Sequence, residues 1–330
     1  MPSSPTKAPW SPTDSLAAVQ EGSKRAIAAA FLANLGIALA KLLAFVFTGA
    51  ASMLAEAIHS LADTGNQGLL MLGSKRAQRA PDAQHPFGYG TARYFWAFVV
   101  AVVLFSLGGV FAVYEGVEKL LHPHSLDSVG WAIVVLAIAA ALEGFSLFTA
   151  MRETRPLLHG DTILTFVRRA KSPELPVVLL EDIGALVGLL FALVGVVLAA
   201  VTDNPRFDAL GSLAIGVLLV VIAGLLAREM ASLLLGEAAD VGEIEAIEAA
   251  LRSGPSVQRL IHCRTLHLGP EEILVAAKIE FDQACTIDEV AAAIDATEAI
   301  VRAEVPSATM IFIEPDVYRP DDEAATHSND

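Results

Sequence analysis

The chain has 330 residues, of which 54% are hydrophobic and 18% charged, and its mean hydropathy is +0.56. That balance excludes an ordinary soluble globule and fits a polytopic membrane protein. The net charge of −15 is uneven: residues 1–235 carry 16 basic and 17 acidic side chains, and residues 236–330 carry 6 and 20, so a near-neutral portion precedes an acidic one with no basic surface for nucleic acid.

Residues 1–24 are rich in Pro and Ser and read as a disordered leader. The first apolar run starts at Ala26 and exceeds a signal-peptide core, so it reads as a retained span. Six spans follow the hydropathy: 26–47, 54–72, 94–113, 129–150, 177–201 and 207–227. The short outer turn Thr48-Gly49-Ala50-Ala51 makes the first two antiparallel neighbours. Gly184 and Gly188 predict a close helix contact in the fifth.

Basic residues alternate with these spans. Lys7, Lys24 and Arg25, then Lys75, Arg76, Arg79 and Arg93, then Arg152, Arg155, Arg168, Arg169 and Lys171, then Arg228 collect on one side. The other side has Lys119 and Arg206. The positive-inside rule then places both termini in the cytosol, and the expected location is a multi-pass protein of a bacterial plasma membrane.

The second span carries the chemistry. Glu56, His59 and Asp63 share one helix face, and Asn66 extends that stripe. An ionisable group at mid-membrane depth is costly and marks a pathway or site by default. A neutral imidazole one turn from a carboxylate is half of a site for a borderline divalent cation. The other reading is a buried hydrogen-bonded pair that only ties helices together. The fifth span supplies Glu181 and Asp182, whose side chains diverge by about 100° around a helix. Asp182 is the expected ligand, and Glu181 an auxiliary ligand, a proton acceptor, or the partner of a loop arginine. Asn34 and Lys41 in span one, Glu143 in span four and Asp208 at the start of span six are polar residues without an assigned role.

The loop from Pro81 to Gly90 is rich in turn residues. Asp82 and His85 could hold a second ion there, or form a turn with a solvated aspartate and a packed histidine. Beyond Gly236 the pattern becomes α-β-β-α-β. A helix is expected over 241–252, strands over 257–268 and 272–281 with a Gly269-Pro270 turn, a helix over 286–304 and a strand over 310–314. Thr286 with Glu289 three positions on is a capping-box signature. His262 and His267 are odd-spaced and point to opposite faces of a strand. Cys263 and Cys285 read as reduced core thiols.

Several of these segments together resemble one family. Ser52–Asp63 with Asn66-Gln67, His85-Pro86-Phe87-Gly88-Tyr89-Gly90 with Arg93-Tyr94, Leu180-Glu181-Asp182, and Phe207–Ser212 are similar to motifs of the cation diffusion facilitators. The Glu-Asp pair is most like the branch that contains the animal mitochondrial zinc transporter. The resemblance implies an α-helical polytopic membrane protein with six transmembrane helices (25–235), a C-terminal cytosolic α+β ferredoxin-like dimerisation domain (236–316) and a disordered tail (317–330). It implies a homodimer that exchanges a divalent cation for protons by alternating access, with zinc as transported substrate and no organic cofactor.

In the family site, spans two and five each give ligands at i and i+4. His59 and Asp63 match, and Asp182 matches, but Val178 stands at the remaining position. The site implied is His59, Asp63 and Asp182, completed by Glu181 or water. In the loop, Asp82 and His85 match while Tyr89 replaces a histidine. In the small domain, His262 and Glu314 match while Ala277 and Phe312 replace histidines. These secondary metal sites are therefore expected to be weak or lost. The rival to a transporter is a dimeric metal-sensing or assembly protein without transport. An intramembrane metallohydrolase is disfavoured by the lack of a His-Glu-x-x-His motif.

Overall fold

The computed structural model describes residues 51–123, 129–158, 160 and 162–319, together with residues 28, 31–32, 34–40, 42–43 and 46. Two compact units emerge. Among the described residues, one is helical and holds those up to Arg79 and from Thr91 to Leu234; the other joins 80–90 to 235–319. The loop 80–90 thus belongs with the C-terminal unit, although the sequence reading grouped it with the spans.

In the helical unit, residues 34–40 are helical (α1). Then come α2 (Ala51–Ala77), α3 (Ala92–Val103), α4 (Val110–Leu121), α5 (Val129–Thr154), α6 (Ile163–Arg169), α7 (Glu174–Thr202) and α8 (Arg206–Leu235). A π-helical stretch, Leu104–Gly109, joins α3 to α4 without a break, so 92–121 forms one crossing. Among the described residues, four helices are long and apolar enough to cross a membrane: 92–121, 133–157, 174–202 and 206–235. Helix α2 has the length for a span at 27 residues but carries Glu56, His59, Asp63, Asn66 and Gln67. The first expected span falls largely outside the described residues.

The apolar exterior of this unit is that of a bilayer protein. Phe111, Phe145, Phe148, Leu190 and Val221 all face outward. Its interior gathers Leu70, Tyr94, Val177, Val178, Leu179, Leu226 and Met230. Small residues set the helix spacing where lipid gives no hydrophobic drive. A Cβ on Gly184 would fall 2.7 Å from Ile222 Cδ1, and one on Gly188 would lie 3.6 Å from Ile215. The expected close contact of the fifth span is therefore with α8. A buried ion pair joins the N-terminal turns of α3 and α7. Arg93 Nη2 donates to Glu174 Oε2 at 2.8 Å, and Arg93 Nε donates to Glu174 Oε1.

The second unit contains α9 (Val241–Arg252), β1 (Val257–Gly269), β2 (Glu272–Phe281), α10 (Ile287–Glu304) and β3 (Met310–Pro315). Strand order is β1-β2-β3, with β1 antiparallel and β3 parallel to β2. Alternate residues Ile273, Val275, Ala277, Ile279 and Phe281 are buried with Ile247, Leu251, Ala293 and Val301 of the two helices. The period of two thus puts one sheet face under α9 and α10. The expected capping box forms: Thr286 N–H donates to Glu289 Oε2 at 2.8 Å, and Glu289 N–H donates to Thr286 Oγ1 at 3.4 Å. The β1–β2 turn falls on Pro270-Glu271, one residue later than expected.

The packed chain also runs past the expected boundary at 316. Tyr318 N–H donates to Glu280 Oε1 at 3.3 Å, and the Arg259 guanidinium lies 3.9 Å from the Tyr318 ring centroid. Both cysteines are free thiols. Burial pushes the Cys263 thiol up to about 11, which makes it a poor nucleophile.

Candidate functional site

Helix α2 places Asp63, Asn66 and Gln67 toward α7. Asn66 Nδ2 donates to Glu181 Oε1 at 3.1 Å, and Gln67 Nε2 donates to Glu181 Oε2 at 3.1 Å. Asn34 of α1 extends the chain, since its Nδ2 donates to Gln67 Oε1 at 3.4 Å. Asn34, Asn66, Gln67, Glu181 and Asp182 are all buried. Each Glu181 oxygen thus receives a carboxamide N–H, which replaces part of the hydration lost on burial.

Asp182 turns the other way around α7. Its Oδ2 accepts from Ser146 Oγ of α5 at 2.8 Å. The 100° per residue of a helix therefore directs neighbouring carboxylates at two different helices, Glu181 at α2 and Asp182 at α5. The carboxylates of Asp63 and Glu143 lie within electrostatic reach of both. Val178, one turn before Asp182, is fully buried in the apolar core.

The backbone of α2 places His59 one turn before Asp63. The side chain of His59 lies outside the described residues. Among the described residues, no three His, Cys, Asp or Glu side chains are drawn together closely enough to cage a metal ion.

The chain that carries these acids has known relatives. A family model, the cation efflux transmembrane domain, matches residues 27–235. The chain belongs to the cation efflux family. This family member is 36% identical over 244 residues to the mouse (Mus musculus) protein named "Proton-coupled zinc antiporter SLC30A9, mitochondrial", covering 73% of the chain and 43% of that relative. It is 31% identical over 262 residues to the Arabidopsis thaliana protein named "Metal tolerance protein C4", covering 79% and 57%. It is 23% identical over 256 residues to "Zinc transporter ZitB" of Pectobacterium atrosepticum, covering 77% and 75%. The chain spans less than half the length of the mouse relative. The mouse and Pectobacterium relatives carry the names of transporters rather than of enzymes. The cation efflux protein is integral to a membrane; the mitochondrial location in the mouse name lends no support to the bacterial plasma membrane expected from sequence.

The secondary positions behave differently. Asp82 is saturated from within its own loop. Tyr89 OH donates to its Oδ2 at 2.6 Å, and the N–H groups of Gln84 and His85 each donate to Oδ1 at 2.9 Å. The Tyr89 hydrogen bond, followed by the His85 N–H, lowers its carboxyl to about 2. His85 Nδ1 lies 3.6 Å from Oδ1, and the His85 and Tyr89 rings stack at 4.2 Å. Tyrosine thus fills the place a second histidine has in the resembled motif.

His262, Ala277, Phe312 and Glu314 line one open cavity of about 510 Å³. The Lys278 ammonium lies 3.3 Å from Glu314 and 2.9 Å from Asp316. His262 is opposite Lys278 in the sheet register, whereas His267 is buried opposite Ile273. The two histidines are on opposite faces, as their spacing requires.

Three features of the site escaped the sequence reading. Ser146 carries no signal of its own, because serine is ordinary in an apolar helix. Gln67 was visible only as a motif member. Glu143 had no assigned role, and the structure turns it toward the α7 acids. Lys41 lies outside the described residues. Asp208 is neutralised by Lys119 at 3.3 Å, which also bonds Glu115 at 3.0 Å.

Proposed function

We propose that this protein exchanges a divalent cation, zinc first among them, for protons across its membrane by alternating access. The ligands are His59, Asp63 and Asp182, with Glu181 as the fourth, and the working unit is a homodimer with both termini on the cytosolic side. The observation that carries this reading is the pair Glu181–Asp182, buried in a membrane helix and held by neutral donors from α2 and α5. Among the described residues their hydrogen-bond partners are neutral, so no protein cation there competes with an incoming metal for them. The names of the relatives, among them a zinc transporter and a proton-coupled zinc antiporter, support the same cargo.

Coupling follows from the ligand chemistry. Imidazole binds metal only when neutral, and carboxylates only when ionised, so metal and protons compete for one set of atoms. His59 has the side chain that ordinarily titrates nearest neutral pH and is the natural exchange group. A divalent cation moved against 100 mV costs about 4.6 kcal/mol, and each returning proton offsets about half of that. The secondary positions Asp82–His85 and His262–Glu314 hold no resident metal in this reading, and the small unit serves dimerisation.

Purified protein in proteoliposomes is expected to take up zinc when a pH gradient is imposed. Asp63→Ala and Asp182→Ala should each cut the flux by more than about 100-fold, since even outer-shell partners of a metal site contribute 10–100-fold. Undiminished flux in both variants would overturn the site. Tight zinc binding with no flux in the unaltered protein would favour the non-transporting sensor.

A further inference from the structure

Asn66 uses only half of its amide. Its Nδ2 is committed to Glu181 Oε1, while its Oδ1 is buried and has no hydrogen-bond partner among the described residues. With Nδ2 donating to Glu181 Oε1, the carbonyl end of the amide faces away from that carboxyl group. Gln67 makes the same contact to Glu181, but its carbonyl oxygen is satisfied by Asn34. A buried carbonyl left open in a membrane interior is costly and calls for an occupant. Asn34 Oδ1 is also open, but Asn34 reaches Glu181 only through Gln67.

Asn66 stands seven residues after His59 and three after Asp63, on the same face of α2. Amide carbonyls are established oxygen ligands for divalent cations. We infer that Asn66 Oδ1 is a direct ligand of the transported cation, adding a neutral oxygen to the site while its Nδ2 holds Glu181. This rests on the transport site proposed above and gives it one more oxygen than the matched motif supplies. Harder ions such as manganese are then accommodated better than by a histidine-rich cage.

The test separates the two halves of the amide in the full-length, detergent-solubilised protein. Zinc affinity is measured by titration calorimetry and cobalt coordination by visible absorption. Asn66→Ala removes both functions, Asn66→Asp keeps an oxygen but loses the donor, and Gln67→Ala removes a donor to Glu181 and the acceptor of Asn34 while leaving Asn66 Oδ1 in place. Asn66→Ala is expected to weaken zinc binding about tenfold or more and to change the cobalt spectrum. Asn66→Asp should retain affinity within about threefold and, like Gln67→Ala, keep a spectrum close to that of the unaltered protein. Asn66→Asp as weak as Asn66→Ala, with Gln67→Ala matching both, would reduce Asn66 to a positioning residue and overturn the inference. If Asn66→Ala fails to fold, Asn66→Asp against Gln67→Ala still decides. Unaltered protein that binds neither metal sinks the transport site itself, whereas normal binding unaffected by every Asn66 variant sinks only this ligand.

Discussion

In the helical unit, Glu181 and Asp182 are held by two carboxamides and a hydroxyl, all neutral. In the small unit, Glu314 and Asp316 lie against the Lys278 ammonium, and Asp82 is filled by a tyrosine hydroxyl and two backbone N–H groups. All of these are carboxylates in a member of the cation efflux family, but their supports differ. A neutral donor holds a carboxylate without cancelling its charge. An ammonium cancels it, so an arriving metal must first displace a covalently tethered competitor. Among the described residues Glu181 and Asp182 of the proposed transport site meet neutral donors, whereas Glu314 and Asp316 already hold an ammonium and the Asp82 oxygens are bonded within their own loop.

The buried ion pair Arg93–Glu174 is the strongest way to probe this contrast within the helical unit. Glu181 and Asp182, about two turns further along α7, meet neutral donors instead. Glu174→Gln removes the carboxylate charge from beside a buried guanidinium and should destabilise the protein by about 3–5 kcal/mol. Removing both partners, in Arg93→Gln with Glu174→Gln, should recover part of that loss. Thermal unfolding in detergent reads both, and a neutral Glu174→Gln would mean the pair is not sealed from solvent.

Lys278→Met tests the small unit. Lys278 holds the Asp316 carboxyl below its usual range by donating to it, so the substitution should return that group toward the ordinary aspartate value. It should also give the cavity beside His262 and Glu314 a weak divalent affinity it otherwise lacks. Calorimetry on a background with Asp63→Asn isolates that gain. No gain would mean that Ala277 and Phe312, rather than Lys278, keep the cavity free of metal.

The smallest effect concerns the loop. Asp82 titrates at about 2 in the folded chain, below the ordinary value near 3.9. Its contribution is therefore fully present above about pH 4 and is lost as pH falls through about 2. Tyr89→Phe removes the largest cause and should move the carboxyl upward, as a carbon-13 NMR titration of the Asp82 carboxyl would report. An unmoved titration would assign the low value to the backbone N–H groups alone.

Much of this architecture is legible in the sequence. The α9–β1–β2–α10–β3 order follows from period-two and period-3.6 patterns, and Thr286 with Glu289 marks the start of α10 to the residue. The His59–Asp63 pair and the Glu181–Asp182 pair stand out because charges are rare in apolar runs. What does not show is direction. The azimuth that sends Glu181 to α2 and Asp182 to α5 is set by how three helices pack, which no local pattern encodes. Tyr89 reads as a lost histidine, and only the fold reveals that its hydroxyl bonds the aspartate left behind. Lys278 carries no signal in the sequence, and the parallel register of β2 and β3 is what sets it opposite Glu314.

The central claim is that the cation is gripped by the acids held through neutral donors and not by those the protein neutralises itself. Equilibrium dialysis of radioactive zinc against the solubilised full chain tests it most directly, comparing Glu181→Gln with Asp182→Asn against Glu314→Gln with Asp316→Asn. Loss of high-affinity zinc in the first pair and its retention in the second is the predicted result. Retention in the first pair with loss in the second would contradict the account.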